Sequence, residues 1–118
     1  MLPSLTEKDL APYFNRGELI LQAAEQLKKD LAQHGLDIEY GKDHLHVFSE
    51  LFSQTEPFIR KLIATHYEKL LQLLYRIDVN EKLIAEAVNE GKNISGEITR
   101  LILYRELQKV VIRNYYGR

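Results

Sequence analysis

Between Glu56 and Ile77 the chain reads EPFIRKLIATHYEKLLQLLYRI. On a helical projection its apolar side chains sweep roughly 220° of the surface, whereas an ordinary surface helix needs a stripe of about 100°. The polar remainder, Lys61, Thr65, Glu68, Lys69, Gln72 and Arg76, fits in one narrow wedge. So apolar a helix must be covered from two sides. That requirement predicts an all-α fold, a bundle of four to five helices packed around a central helix 56–77.

The flanking sequence supplies the other members. Asn15 is placed to cap a helix over 16–34, whose Leu19, Ile20, Ala23, Ala24, Leu27 and Leu31 form a one-sided stripe, with Gly35 as a left-handed stop. Residues 36–40 alternate apolar and polar, and Gly41–Lys42–Asp43 has the composition of a hairpin turn. Two strands alone are marginal, so an extended connector is the preferred reading. Asp43 then caps a helix over 44–54 with Leu45, Val47, Phe48, Leu51 and Phe52 on one face. Pro57 leaves two possibilities: Thr55 caps a fresh helix, or one helix runs from 44 to 77 with a kink. The apolar steps 48, 52, 55, 59, 62 and 66 keep a helical rhythm through the proline and tilt the reading toward continuity. Asp78 and Glu81 have capping-box spacing ahead of a helix at 79–90, which Gly91 closes. Ser95 caps a last helix, 96–115, whose apolar arc is again wide, roughly 200°. At the other end Ser4 and Glu7 share the capping-box spacing, and Pro12 limits that segment to a short helix.

With 118 residues, the chain has the length of a single domain, 1–118, able to bury about two-thirds of its unfolded surface. Zero cysteines remove disulfides, thiolate metal sites and cysteine nucleophiles. The absence suits a reducing cytoplasm, the expected location. No apolar run approaches the ~20 residues that span a bilayer, and the N-terminus lacks the pattern of a secretion signal. The net charge of −1 argues against a global field for nucleic acid or anionic membrane. The distribution is uneven, with nine acidic and five basic groups in residues 1–50 but five basic and two acidic in 97–118.

Four clusters are candidates for chemistry. His66 falls inside the apolar sector among Ile59, Leu62 and Leu73, where it would be a ligand or proton acceptor in an interior pocket. Its ordinary alternative is a core histidine bonded to a tyrosine hydroxyl or a backbone carbonyl. His44, His46 and Glu50, behind Asp43, make the best metal-like group, because His46 and Glu50 are one helical turn apart. A third ligand at recognised spacing is missing, and a polar helix N-terminus explains the same residues. Arg105, Lys109 and Arg113 form a cationic strip, i, i+4, i+8, that could meet an acidic partner or a nucleic-acid backbone. A solvated face near the helix C-terminus explains it equally. Gly91-Lys-Asn-Ile-Ser-Gly96 has phosphate-loop glycine spacing, but Glu97 and Ile98 replace the required lysine and hydroxyl residue. The helices around it do not make a helix-turn-helix, because the second is apolar where base-reading side chains belong.

No constellation specifies a reaction or a cofactor. The sequence therefore points to a non-enzymatic domain that works by protein contact. Two wide-faced helices leave more apolar surface than so small a bundle hides. The surplus points to a homodimer with the last helix, Phe48 and Phe52 at its interface, or else to a monomer whose short N-terminal helix lies over the last one. The alternative is a small-ligand or metal-binding bundle, or a weak enzyme, using His66 or the His44–His46–Glu50 group.

Overall fold

Among the described residues, 7–91 and 93–115, a computed structural model shows an all-helical bundle with no strand. α1 (Glu7–Leu10) runs into a 3-10 turn (Ala11–Asn15) with Pro12 in its first turn, where the fixed proline φ is tolerated. The Ser4 half of the expected capping box lies outside the described residues. α2 (Gly17–Ala32) follows, then α3 (His44–Thr65), α4 (Tyr67–Ile77), α5 (Glu81–Glu90) and α6 (Ile94–Tyr115).

The apolar stretch 56–77 is not one helix. α3 runs through Pro57 and ends eight residues later at Thr65. Proline removes the N–H that would bond the carbonyl of residue i−4, here Ser53. Ser53 and Pro57 are both exposed, so water can serve that carbonyl and the helix continues. Thr55, considered above as a cap, is instead a buried mid-helix residue. The break falls at His66, whose φ of −144° and ψ of 62° leave the helical region. His66 N–H still bonds Leu62 C=O at 2.8 Å, while its own carbonyl accepts from Lys69 and Leu70. One residue thus closes α3 and opens α4.

This joint dissolves the apparent 220° arc. α3 buries Val47, Leu51, Thr55, Ile59 and Leu62, and α4, restarted in a new phase, buries Leu70, Leu73, Leu74 and Ile77. Each is an ordinary one-sided stripe. Tyr67, Leu71 and Tyr75, counted in the arc, stay exposed.

The element that the others wrap is α6, which packs on α1, α2, α3, α4 and α5. Its Ile98, Ile102, Leu103, Leu107, Val110, Val111 and Ile112 are all buried within this one chain. α2 lies antiparallel to it, since Gln22 meets Asn114 and Asp30 meets Lys109. α3 is antiparallel too, with Ser95 donating to Glu56 near one end.

Local signals explain the remaining boundaries. Gly35 (φ +92°) and Gly91 (φ +68°) are left-handed stops after α2 and α5. Leu36 N–H returns to Leu31 C=O at 3.1 Å, completing the first of these caps. Asp43 accepts from Leu45 N–H at 3.1 Å and caps α3. Three cap assignments move. Arg16 rather than Asn15 occupies the N-cap of α2. Asn80 caps α5 through Lys82 N–H at 2.8 Å. Asp78 sits left-handed (φ 68°) at the end of α4. α6 begins at Ile94, with Asn93 accepting from Gly96 N–H at 3.3 Å, and Ser95 turns inward.

Residues 36–40 are an extended connector. Its anchor is a side chain that imitates a neighbouring strand. Gln54 Nε2 donates to Glu39 C=O at 2.6 Å and Gln54 Oε1 accepts from Glu39 N–H at 2.8 Å. Ile38 is sealed into the core beneath it.

Candidate functional site

The residues singled out above land in four different situations. His66, expected among apolar neighbours, is exposed at the helix joint, because the phase change there turns it out of the stripe. Its Nδ1 stands 2.9 Å from Thr65 Oγ1, a hydroxyl already donating to Lys61 C=O, so the ring nitrogen acts as the donor. The interior pocket reading of His66 is corrected accordingly.

His44, His46 and Glu50 do not converge. His46 Nδ1 pairs with Asp43 Oδ2 at 2.6 Å on the exposed side of the cap. That hydrogen bond, and then the one from Leu45 N–H, hold the Asp43 carboxyl below its ordinary range. Glu50 turns to the connector, where Oε2 accepts from Gly41 N–H at 2.9 Å. His44 packs its ring against Gly17, where even a β-carbon would approach Nδ1 to 2.9 Å. Among the described residues no three histidine, aspartate or glutamate side chains are arranged to hold a metal ion.

The cationic strip is divided. Arg105 reaches Asp78, with Nε 2.8 Å from its carbonyl and Nη2 2.9 Å from Oδ2, and so ties α6 to the turn before α5. Lys109 turns inward to Glu106. Arg113 remains exposed.

What α3 and α6 build between them is a groove of about 490 Å³, lined by Phe48, Ser49, Phe52, Arg100, Leu103 and Tyr104. The two helices present i, i+4 pairs to each other, Phe48 with Phe52 and Arg100 with Tyr104, which is why the walls are continuous. Arg100 lies 5.5 Å from the centre of the Tyr104 ring and 2.8 Å from Glu97 Oε2, so its guanidinium is held at the wall by both neighbours. The Ser49 hydroxyl donates to His46 C=O at 2.9 Å, within its own helix. A groove of aromatic and aliphatic walls with one arginine beside a ring is suited to apolar contact. A second apolar feature lies on α4, where Tyr67, Leu71 and Tyr75 follow one another at one-turn spacing and Tyr75 is 85% exposed.

Sequence reasoning missed a charged cluster inside the bundle. Asp30 of α2 and Glu106 of α6 are 3% and 1% exposed. Arg76 Nε reaches Asp30 Oδ1 at 3.1 Å from α4, and Gln26 Nε2 approaches the same oxygen at 3.4 Å. Lys109 Nζ stands 2.6 Å from Glu106 Oε1 and 3.9 Å from Asp30 Oδ2. The Lys109 ammonium is thus the ion-pair partner of Glu106 Oε1, whereas Glu106 Oε2 is buried without a hydrogen-bond partner and Asp30 Oδ2, 3.9 Å from the lysine, lies beyond hydrogen-bond reach. Burial first, and then the neighbouring Asp30 carboxyl, push Glu106 up to about 8, against the pull of Lys109. A signal was available in the sequence, since Glu106 stands between Leu103 and Val110 on the apolar sector of its helix.

No family model, curated protein or solved structure matches this chain. Fold and site define a helical bundle with an apolar groove on one side and two buried carboxyl groups within, reached by partly exposed cations. No helix of the described residues is long and apolar enough to cross a membrane.

Proposed function

We propose that this chain is a non-enzymatic helical protein–protein interaction domain of the cytoplasm, self-associating as a twofold dimer through the groove between α3 and α6. The observation that carries the reading is the groove itself. Phe48, Phe52, Leu103 and Tyr104 place aromatic and aliphatic surface around one concavity, with Arg100 and Glu97 as its polar margin. Aromatic residues and arginine are the side chains that interface centres favour, and buried anchors of this kind carry most of the energy of association. The wide apolar face of the last helix, which suggested dimerisation from sequence, is covered within the chain and no longer contributes to the argument.

A second reading has one observation in its favour. The groove volume lies within the roughly 300–1,000 Å³ of small-molecule sites, so an apolar ligand is the alternative occupant. Sedimentation equilibrium and native mass spectrometry of the purified chain separate the two. A two-chain mass at tens of micromolar, reduced to one chain by Ser49→Arg, supports the dimer. Ser49 is exposed at the rim, so this variant fills the groove without entering the core. A one-chain mass at all concentrations rejects the dimer, and a one-chain species carrying a stoichiometric small molecule selects the ligand.

A further inference from the structure

Asp30 of α2 and Glu106 of α6 are buried in the same seam, and the two cations that reach them, Lys109 and Arg76, come in from partly exposed positions. Lys109 is shared between two carboxyl groups, and Arg76 reaches only Asp30. Glu106 Oε2 and Asp30 Oδ2 are left without a hydrogen bond, and Glu106 Oε1 has only the Lys109 ammonium. Two adjacent buried carboxylates repel each other and are both desolvated, so a proton on one of them lowers the cost of closing the seam. Glu106 is the carboxyl that gains most from that proton, because Arg76 already compensates Asp30.

Among the described residues, other ionisable groups on the elements packed against α6 are paired elsewhere or exposed. Glu56 of α3 is bonded to Ser95, 11 residues or about three helical turns from Glu106. Asp78, before α5, is held by Arg105. Glu81, Lys82, Glu86 and Glu90 of α5 and Asp9 of α1 are exposed.

We propose that the Asp30–Glu106–Lys109 seam is a proton-operated latch, in which the α2–α6 interface closes around a neutral Glu106 and loosens when that carboxyl ionises. Folding then takes up one proton from solvent. Glu106 is raised from an ordinary carboxylate value to about 8. Its stabilising share is therefore complete below about 4.5 and is lost as pH rises through about 8. Across that window the unfolding equilibrium shifts by up to roughly tenfold per pH unit on account of this one group.

Urea unfolding of the full chain and of Glu106→Gln, followed from about pH 5 to about pH 9, tests the latch. Glutamine imitates the neutral acid. The two proteins should be nearly equal at the acid end and diverge as pH rises, with the variant the more stable. Parallel curves would overturn the proposal. So would a wild type that gains on the variant with rising pH, since Glu106 would then be stabilised as an ion by Lys109. Carboxyl-carbon NMR of the wild type gives an independent reading that does not depend on the variant folding. A Glu106 midpoint near 8 is expected, and one in the ordinary carboxylate range rejects the latch. Amide exchange, corrected for intrinsic base catalysis, should show α2 and α6 losing protection together above that midpoint; unchanged protection counts against opening of the seam.

Discussion

Thr55→Val should make this protein more stable. Thr55 is 0% exposed in the middle of α3, and its Oγ1 has no hydrogen-bond partner. Hiding an unbonded hydroxyl costs about 1–3 kcal/mol in proteins. Valine keeps the β-branch and nearly the same helix propensity, so the exchange removes the unbonded oxygen and substitutes a methyl that prefers the core. The expected gain is about 1–2 kcal/mol, which at this chain length corresponds to a rise in Tm of roughly 4–8 °C. Thr99 is the internal control. It is equally buried, but its Oγ1 donates to Ser95 C=O at 2.7 Å. Thr99→Val forfeits that bond and should be neutral or lose up to about 1 kcal/mol. Urea titrations with unchanged m-values, supported by calorimetry, measure both changes. If Thr55→Val is no more stable than wild type while m is unchanged, the hydroxyl is satisfied in solution and the reasoning fails.

Other perturbations have equally definite outcomes. Gln54→Ala strips the connector of the side chain that bonds both Glu39 N–H and Glu39 C=O, and should cost about 1–2 kcal/mol in urea unfolding with local loss of amide protection over 36–40. Arg105→Met keeps the stem and removes the guanidinium that holds Asp78 by two bonds. A loss of about 1 kcal/mol is expected, most of it retained at high salt, because one of the two bonds goes to a carbonyl. The Tyr40 phenol donates to Glu25 at 2.8 Å and is pushed up to about 12 by burial, then by that acceptor. Ultraviolet titration should show one tyrosine ionising well above the others. Its stabilising share is full below about pH 10 and is lost as pH rises through about 12, so Tyr40→Phe leaves the neutral-pH slope unchanged.

The bundle was legible wherever local chemistry decided the outcome. The α2 stripe, the Asp43 cap and the Gly35 and Gly91 stops all act within a few residues, and each can be recognised one at a time. The joint at His66 was hidden because Ala64–Thr65–His66 contains neither proline nor glycine, while Pro57, the conspicuous breaker, sits where its freed carbonyl faces water. Ser95 looked like a cap because its bond to Glu56 crosses 39 positions of sequence. The candidate groove was partly foreseen, since Phe48, Phe52 and the last helix were expected to form a contact surface. Arg100 and Tyr104 entered it only through the antiparallel register of α3 and α6. Asp30 and Glu106 were invisible as a pair for the same reason: 76 residues separate them along the chain.

The single-residue joint at His66 also separates the rotational register of two helices. An insertion within α4 would turn every later side chain of that helix by about 100° and swing Leu73 or Leu74 toward water. The same insertion at the joint would be absorbed as slack, leaving the rows on either side aligned with their neighbours. Length variation in this half of the molecule is therefore tolerable at one address, and a chain diverging from this one has a place to grow without unpacking its centre.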